Sequence, residues 1–257
     1  MNNLIIGHRG FVGQNLSRYI PDSLGVGRQE IKDLAGYTFS NIYCAAPQAK
    51  KWWANQNPVE DKIEIENLLS DCQKINCKHH FMLFSTIDVY DNPINVNELS
   101  IPSPKSQPYG LHRYELEREC INLYGDMTRI VRLPALIGQG LKKNIIYDLL
   151  NDNNISNINP NSSFQWFNLD HISTIIDLIK DGDHGQILNV ASEPISTQLI
   201  LDSWFKDAKD KLDWTLKKFI YDVHTVYAEK NSPYLYSASN VIDFHLRPFI
   251  ELNLKGK

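Results

Sequence analysis

The sequence lacks the features that membrane and disulfide-rich proteins need. It has 4 cysteines among 257 residues and no Cys-x-x-Cys pair, which excludes a disulfide framework. No apolar run approaches the roughly 18 residues of a membrane span, and Leu4 follows a start without the charged and apolar regions of a signal peptide. We therefore expect a cytoplasmic protein that has no membrane partner.

The chain also lacks a basic excess. Lys and Arg number 26 and Asp and Glu number 30, so the net charge is −4. A protein that binds nucleic acid by neutralising phosphates usually carries the opposite balance. With 42% hydrophobic residues, 13 Gly and 12 Pro, the chain can bury a core and is not a disordered segment. Small molecules are the expected partners, and nucleic acid is not.

Cysteine and histidine cluster at one place, around Cys72, Cys77, His79 and His80. Their spacing fits no common zinc pattern. We interpret the segment as a helix end followed by a solvated turn, and we expect no metal site.

Apolar runs of strand length alternate with segments of helical period, which is typical of βα units around a parallel sheet. The pattern predicts strands at 3–6, 24–26, 41–45, 81–84, 129–133 and 186–190, and helices after 10 and over 59–72, 109–123 and 170–180. The expected fold class is α/β, a doubly wound parallel sheet with a small C-terminal lobe. Residues 1–140, completed by about 165–192, are expected to form the domain of the sheet, and 141–164 and 193–257 the lobe. The Asn-rich stretch 151–161 should be exposed.

A glycine-rich segment follows the first strand and opens a helix. It has the spacing Gly-x-x-Gly-x-x-Gly, and its residues are Gly7, His8, Arg9, Gly10, Phe11, Val12 and Gly13. Glycines at this place allow the backbone to approach a pyrophosphate that faces the helix N-terminus. The segment predicts dinucleotide binding, and an ordinary glycine-rich turn is the alternative. The domain of the sheet is therefore expected to be a Rossmann-type NAD(P)-binding domain, and the small C-terminal lobe a substrate lobe.

The second strand indicates which dinucleotide is bound. Proteins that use NAD usually place an acidic residue at its end, whereas a 2′-phosphate favours arginine. Here the strand ends at Arg28, and Arg9 lies on the glycine-rich loop. Guanidinium groups bind phosphate in a bidentate way. NADP is therefore the expected cofactor, and NAD is the alternative.

These motifs, with others further along the chain, resemble those of the extended short-chain dehydrogenase/reductase family. The segments that carry the resemblance are the loop at 7–13, Cys44-Ala45-Ala46 at a strand end, Phe84-Ser85-Thr86-Ile87-Asp88-Val89-Tyr90, Tyr109-x-x-x-Arg113, the run 132–138 and the run 188–192. The loop is most similar to that of the GDP-fucose synthase branch. The resemblance implies an NADP(H)-dependent oxidoreductase or epimerase that acts on a nucleotide-activated sugar in bacterial surface polysaccharide biosynthesis, and a homodimer.

The resemblance also implies a catalytic set of Thr86, Tyr109 and Arg113, where the family has lysine at the last position. An acid or base tyrosine needs a nearby cation, because its usual pKa is about 10. Arg113 lies four residues after Tyr109 on the predicted helix and so shares its face. The implied cofactor contacts are the loop residues, Arg28, Ala45, Ala46, Tyr109 and Arg113.

Substrate contacts are expected at Thr86, Asp88, Trp52, Lys142, Lys143 and Asn144. The dehydratases of the family carry Asp and Glu after the threonine, whereas this chain has Ile87 and Asp88, so a 4,6-dehydratase is not expected. Many relatives have Asn where this chain has Ala135. Arg113 and Ala135 support the alternative of an inactive dinucleotide-binding sensor or scaffold of the same fold.

Overall fold

Strands and helices alternate through the first half of the chain, as the hydrophobic periodicity predicts. The computed structural model describes residues 2–182, 184–229 and 231–256. Its strands are β1 (Asn3–Ile6), β2 (Ser23–Val26), β3 (Thr38–Cys44), β4 (Asn76–Thr86), β5 (Ile94–Val96), β6 (Thr128–Leu133), β7 (Ala135–Ile137), β8 (Ser163–Phe164), β9 (Trp166–Asn168), β10 (Ile187–Asn189), β11 (Ile195–Ser196) and β12 (Asp222–Val223). Its α-helices are α1 (Phe11–Tyr19), α2 (Lys51–Gln56), α3 (Pro58–Cys72), α4 (Pro108–Tyr124), α5 (Ile145–Asn151), α6 (Ile172–Asp181), α7 (Thr197–Trp204), α8 (Ala238–Asn240) and α9 (Arg247–Lys255).

The chain divides into two units. The first comprises residues 2–92, Glu98–Leu133 and Ile172–Asn189, and the second comprises Pro93–Asn97, Pro134–His171 and residues 190–256. We predicted that the first unit would extend to residue 140 and resume at about 165. In the structure β7 pairs with β9, so both strands fall in the second unit.

The first unit contains a six-stranded parallel sheet of order β2-β1-β3-β4-β6-β10. This confirms the predicted α/β, doubly wound architecture. The chain moves from β1 to one neighbour, β2, and then crosses to the other neighbour, β3. Ligands of such sheets bind at the carboxyl ends of the strands where the order reverses. That position is marked here by the register partners Ile6 and Cys44, the last residues of β1 and β3.

The sheet is stable because its strands are apolar on both faces, as buried parallel strands are. Leu4 and Ile6 of β1 pack in one cluster with Leu83 of β4, Leu68 of α3 and Leu116 of α4. All five are buried. The cluster fixes α3 and α4 beside the strands whose ends carry the predicted site residues.

Two local predictions were only partly right. An exposed turn at Gln73 and Lys74 does follow the helix end at Cys72, but β4 begins at Asn76 and pairs with β3 through Cys77 and His80. The Asn-rich stretch is continuously exposed only over its first four residues. Its second part is packed, with Ile158 and Asn159 buried and the Asn159 amide donating to the Leu216 carbonyl.

The second unit has small two-stranded pairings, β7 with β9, β8 with β11 and β5 with β12. Its core gathers Ile146 of α5, Trp166 of β9, Ile200 of α7 and Ile250 of α9. A π-helical segment, Val241–Leu246, precedes α9 and carries the buried His245, whose Nδ1 accepts from the Asn168 amide. Burial lowers the pKa of His245 to about 4, so this imidazole is neutral in the core.

No helix in the described part of the chain combines the length and the apolar character that crossing a bilayer requires.

A buried ionic network ties the strand ends of the first unit to α4. Arg132 of β6 makes bidentate contacts with Glu117 of α4, with Nη2 2.6 Å from Oε2. Its Nη1 lies 2.7 Å from the Tyr90 hydroxyl, and the Ser85 hydroxyl donates to Glu117 over 2.5 Å. Arg132 and Glu117 are each 1% exposed. Each charge therefore depends on the other for its stability.

We expect Glu117→Gln to destabilise the protein by about 3–5 kcal/mol, because it leaves the Arg132 guanidinium buried without a counter-charge. The measurement is the free energy of unfolding in urea. Glu119→Gln changes an exposed glutamate on the same helix and should alter it by less than about 0.5 kcal/mol. Equal effects of the two substitutions would contradict the role of the pair.

Candidate functional site

The glycine-rich loop packs directly against the end of β3. Gly7 has φ +84°, and a Cβ there would lie 2.7 Å from the Ala45 carbonyl oxygen and 2.8 Å from the Ala46 Cα. At Gly13 a Cβ would lie 2.2 Å from the Gly7 oxygen. Only glycine permits these approaches. The loop thus places the first amides of α1 at the reversal point of the sheet.

The start of α1 is suited to a pyrophosphate. The helix begins at Phe11 and Val12, and Gly10 precedes it in an extended conformation. Among the described residues no side chain caps this helix, and its first turn has no acidic residue. Free amide groups and the helix dipole favour an anion at such an N-terminus. The residues present therefore fit a dinucleotide.

Arg9 is paired with a carboxylate that we did not predict. Its Nη2 lies 2.6 Å from Oε1 of Glu30, and Oε2 of Glu30 accepts from the Gly27 amide over 2.5 Å. The Gly27 amide and then the Arg9 charge hold the pKa of Glu30 below its usual value. Glu30 lies 20 residues after Gly10, the spacing at which many Rossmann folds carry the acid that binds a ribose 2′-hydroxyl. Glu30 could therefore have been identified from the sequence by this spacing.

Arg28 is paired in the same way. Its Nη1 lies 2.6 Å from Oε2 of Glu64 on α3. The Gln48 side-chain amide donates to both oxygens of Glu64, over 2.8 and 3.1 Å. Both arginines predicted to bind a 2′-phosphate thus have carboxylate partners in this structure.

Thr86 and Tyr109 lie together, although 23 positions separate them in the sequence. Thr86 is the last residue of β4, where its hydroxyl accepts from the Asp88 amide, and it lies close enough to the Tyr109 phenol to lower the pKa of that group. The approach of α4 depends on Gly110, because a Cβ there would lie 2.2 Å from the Asp88 carbonyl oxygen. This close packing brings two of the predicted catalytic residues into contact.

Asn55 of α2 also positions the tyrosine, and the sequence analysis did not find it. Its Oδ1 accepts from the Tyr109 amide over 3.0 Å, and its Nδ2 donates to Gln107 over 2.7 Å. The Asn55 side chain thereby binds an amide in the first turn of α4, which has no partner within the helix. No motif marks an asparagine that caps a helix 54 residues away.

Arg113 contacts Tyr109 through the face of the ring. The guanidinium carbon lies 4.4 Å from the ring centroid. Nη1 donates to Oδ2 of Asp61 over 2.5 Å and Nη2 donates to the Gln48 carbonyl over 2.6 Å. Asp61 also bonds to Nδ1 of His112 at 2.8 Å. Because Arg113 is 3% exposed and Asp61 1% exposed, the two charges compensate each other in a dry environment.

The electrostatic balance keeps Tyr109 protonated. Burial raises the pKa of Tyr109 to about 12, and the positive charge of Arg113 and the bond from Thr86 only partly oppose this effect. The negative charges of Asp88 and Asp61 raise the pKa further. The phenol therefore carries its proton at neutral pH and is a weaker acid than an ordinary tyrosine, and the phenolate, the form that acts as a base, is scarcely populated.

The predicted substrate residues Asp88 and Trp52 also belong to the first unit. Asp88 accepts from Nζ of Lys51 over 2.7 Å, so its charge is partly balanced. Trp52 lies on the same short helix as Lys51, and its side chain is exposed. Its indole is thus accessible for stacking.

Lys142, Lys143 and Asn144 belong to the second unit. The two lysines are exposed. The Asn144 oxygen accepts from the amides of Ile146 and Tyr147, each over 3.0 Å, and its Nδ2 donates to the Leu136 carbonyl. Asn144 therefore caps the helix whose N-terminus we had expected to attract a diphosphate.

An open groove of about 740 Å³ runs between α3 and α4. Leu69 of α3 and Leu116 of α4 line it, together with charged groups that include Lys62 and Glu115. Ile63 on α3 is 50% exposed. The homodimer expected from the resemblance stays a prediction.

No family model matches the sequence, and no curated protein matches it significantly. Solved structures do match the fold. UDP-glucose 4-epimerase of Thermotoga maritima, solved with UDP-glucose, has a TM-score of 0.67 at 14% identity and covers 99% of this chain and 98% of its own. dTDP-4-dehydrorhamnose reductase of Bacillus anthracis, solved with NADP, has a TM-score of 0.62 at 16% identity, with coverages of 86% and 90%. A dTDP-glucose 4,6-dehydratase double mutant of Streptomyces venezuelae, solved with NAD, has a TM-score of 0.65 at 17% identity, with coverages of 87% and 88%.

The chain has the fold of the extended short-chain dehydrogenases/reductases. These structural neighbours are NAD(P)-dependent nucleotide-sugar epimerases, dehydratases and reductases. The resemblance drawn from the motifs is thereby confirmed at the level of the fold.

Tyrosine ionisation tests the site directly. Because burial raises the pKa of Tyr109 to about 12, its phenol should stay protonated at about pH 10.5, where an ordinary tyrosine is mostly ionised. Tyr109→Phe should therefore leave the tyrosinate absorbance of the folded protein unchanged at that pH. In denaturant the same substitution should remove one of 12 titrating tyrosines. A loss of equal size in the folded protein would show that Tyr109 is not protected.

Proposed function

We propose that this protein is an NADP(H)-dependent oxidoreductase or epimerase of nucleotide-activated sugars. The observation that carries the proposal is the glycine-rich loop at the reversal point of the sheet, in the same unit as the Thr86 and Tyr109 contact. The start of α1 offers amides to a pyrophosphate, and α4 places a proton donor, Tyr109, beside Thr86 at the end of β4. The fold shared with nucleotide-sugar enzymes supports the same class of reaction.

The cofactor would be held mainly by backbone. Gly7, Gly10 and Gly13 leave space for the pyrophosphate, and the amides of Phe11 and Val12 face it. Ala45 and Ala46, at the end of β3, would border the dinucleotide. Arg9 and Arg28 would bind a 2′-phosphate, after exchange of their carboxylate partners.

A bound nicotinamide dinucleotide would supply or accept a hydride. Tyr109 would donate its proton to the sugar oxygen, and Thr86 would fix that oxygen by a hydrogen bond. Arg113, stacked on the tyrosine ring, would hold the ring in place. Tyr109 holds its proton in this environment, which is the state that proton donation to a keto sugar requires, so we favour net reduction over epimerisation.

For the sugar nucleotide we retain Asp88 and Trp52 as candidate contacts, with Trp52 stacking on a base or sugar. Lys142 and Lys143 are retained as candidates for a diphosphate, because both are exposed. Asn144 would act through the backbone that it fixes. A role in surface polysaccharide biosynthesis would fit such a substrate.

A second candidate is a dinucleotide-binding sensor or scaffold without turnover. The observation that favours it is the ion pair between Arg113 and Asp61. Asp61 already neutralises the positive charge of Arg113, which would be needed to stabilise an ionised Tyr109. The two candidates share the cofactor site and differ in the chemistry at Tyr109.

A test of enzymatic turnover distinguishes the oxidoreductase or epimerase from the sensor or scaffold. We expect the protein to oxidise NADPH in the presence of one member of a panel of keto sugar nucleotides, and Tyr109→Phe to slow this reaction at least about 100-fold, the size typical of a lost general acid. The measurement is the loss of nicotinamide absorbance. NADPH should still bind the variant, as measured by fluorescence, because the glycine-rich loop that would hold the pyrophosphate is intact. Tight NADPH binding with no turnover on any substrate would favour the sensor.

The cofactor assignment has its own test. Arg28→Ala should weaken NADPH binding by about 10–100-fold, because a charge-assisted hydrogen bond to phosphate is lost, and it should leave NADH binding unchanged. Arg118→Ala, on the exposed side of α4, is the matched control. An equal loss for both dinucleotides would contradict a contact with the 2′-phosphate.

A further inference from the structure

Helix α3 supplies carboxylates to two arginines of the proposed site. Asp61 and Glu64 lie three residues apart on this helix and therefore share a face. Asp61 binds Arg113, and Glu64 binds Arg28. The first pair is fully buried, whereas the side chains of Arg28 and Glu64 are 38% and 36% exposed. Only the second pair is thus open to exchange with a ligand from solvent.

We propose that Glu64 is a specificity-determining residue, which occupies Arg28 and so competes with the 2′-phosphate of NADP(H). The inference rests on the proposed function, since it needs a dinucleotide at the glycine-rich loop. It adds that one carboxylate on α3 sets the preference between the phosphorylated and unphosphorylated cofactors.

The competing carboxylate is held in place before any ligand arrives. Gln48 donates its side-chain amide to both oxygens of Glu64. The backbone carbonyl of Gln48 in turn accepts from Arg113, which anchors the residue. The Glu64 side chain is therefore already ordered, and it loses little conformational entropy when it pairs with Arg28. For this reason it competes more strongly than a free surface glutamate would.

A phosphate cannot share the interior of this cluster. Arg28, Gln48, Glu64 and Arg113 line one cavity of about 10 Å³, space for about one water molecule. A phosphate group must therefore approach Arg28 from the solvent side, where the negative charge of Glu64 opposes it. A dinucleotide without the 2′-phosphate brings no phosphate charge to Arg28 and leaves its ion pair with Glu64 intact.

The experiment compares NADPH and NADH binding by the full chain, measured as dissociation constants by fluorescence titration. Glu64→Gln keeps the shape and removes the charge, so NADPH should bind about two- to fivefold more tightly, the size expected for a partly exposed charge, and NADH should bind as before. Glu66→Gln, an exposed glutamate on the same helix, is the matched control and should change neither constant.

The route of the effect is tested by the double variant. When Arg28→Ala is already present, Glu64→Gln should no longer alter the ratio of the two constants. A ratio that still changes would overturn competition through Arg28, and so would an unchanged ratio in the single variant Glu64→Gln. If neither dinucleotide binds any of these proteins, the proposed function itself fails, and this result is distinct from binding with an unchanged ratio.

Discussion

The chemistry available to this protein depends on how three guanidinium groups are neutralised. Arg9 pairs with Glu30, Arg28 with Glu64 and Arg113 with Asp61. Isolated charges of one sign would repel one another and lose solvation as the strands and helices close around them. The carboxylates offset much of that cost and so let the first unit concentrate arginines near its strand ends. The pairs also differ in burial, so an anionic ligand can replace the exposed partners far more easily than it can replace Asp61.

Much of the fold could be predicted from the sequence, because its determinants are local. Alternation of short apolar runs with helical periods located the six strands of the sheet, and the spacing of Gly7, Gly10 and Gly13 located the loop. Glycine was informative because backbone approach at these positions excludes any Cβ. Boundaries were less accurate. β4 extends back to Asn76 since its polar residues pair with β3, and pairing with a neighbour cannot be deduced from the segment itself.

The partners in the candidate site could not be predicted, because they come from distant parts of the chain. Asp61 meets Arg113 across 52 positions, and Asn55 meets Tyr109 across 54. These residues meet only when α2 and α3 pack against α4. The resemblance to a known family pointed to the tyrosine and the arginine, and their spacing of four placed them on one helix face. The sequence did not reveal that Arg113 would stack on the Tyr109 ring and donate its hydrogen bonds to other groups. That arrangement depends on the carboxylate of Asp61 on α3.

The sheet of the first unit has two edges, and both are short. β2 has four residues and β10 has three. An edge strand offers unpaired amides and carbonyls to any other extended chain, and long edges promote aggregation by strand addition. Edges of this length give such a chain few hydrogen bonds, and β2 contains Gly25, a weak strand former. The unit is thus protected against growth of its sheet, and stable association with another protein would have to use helices or side chains instead.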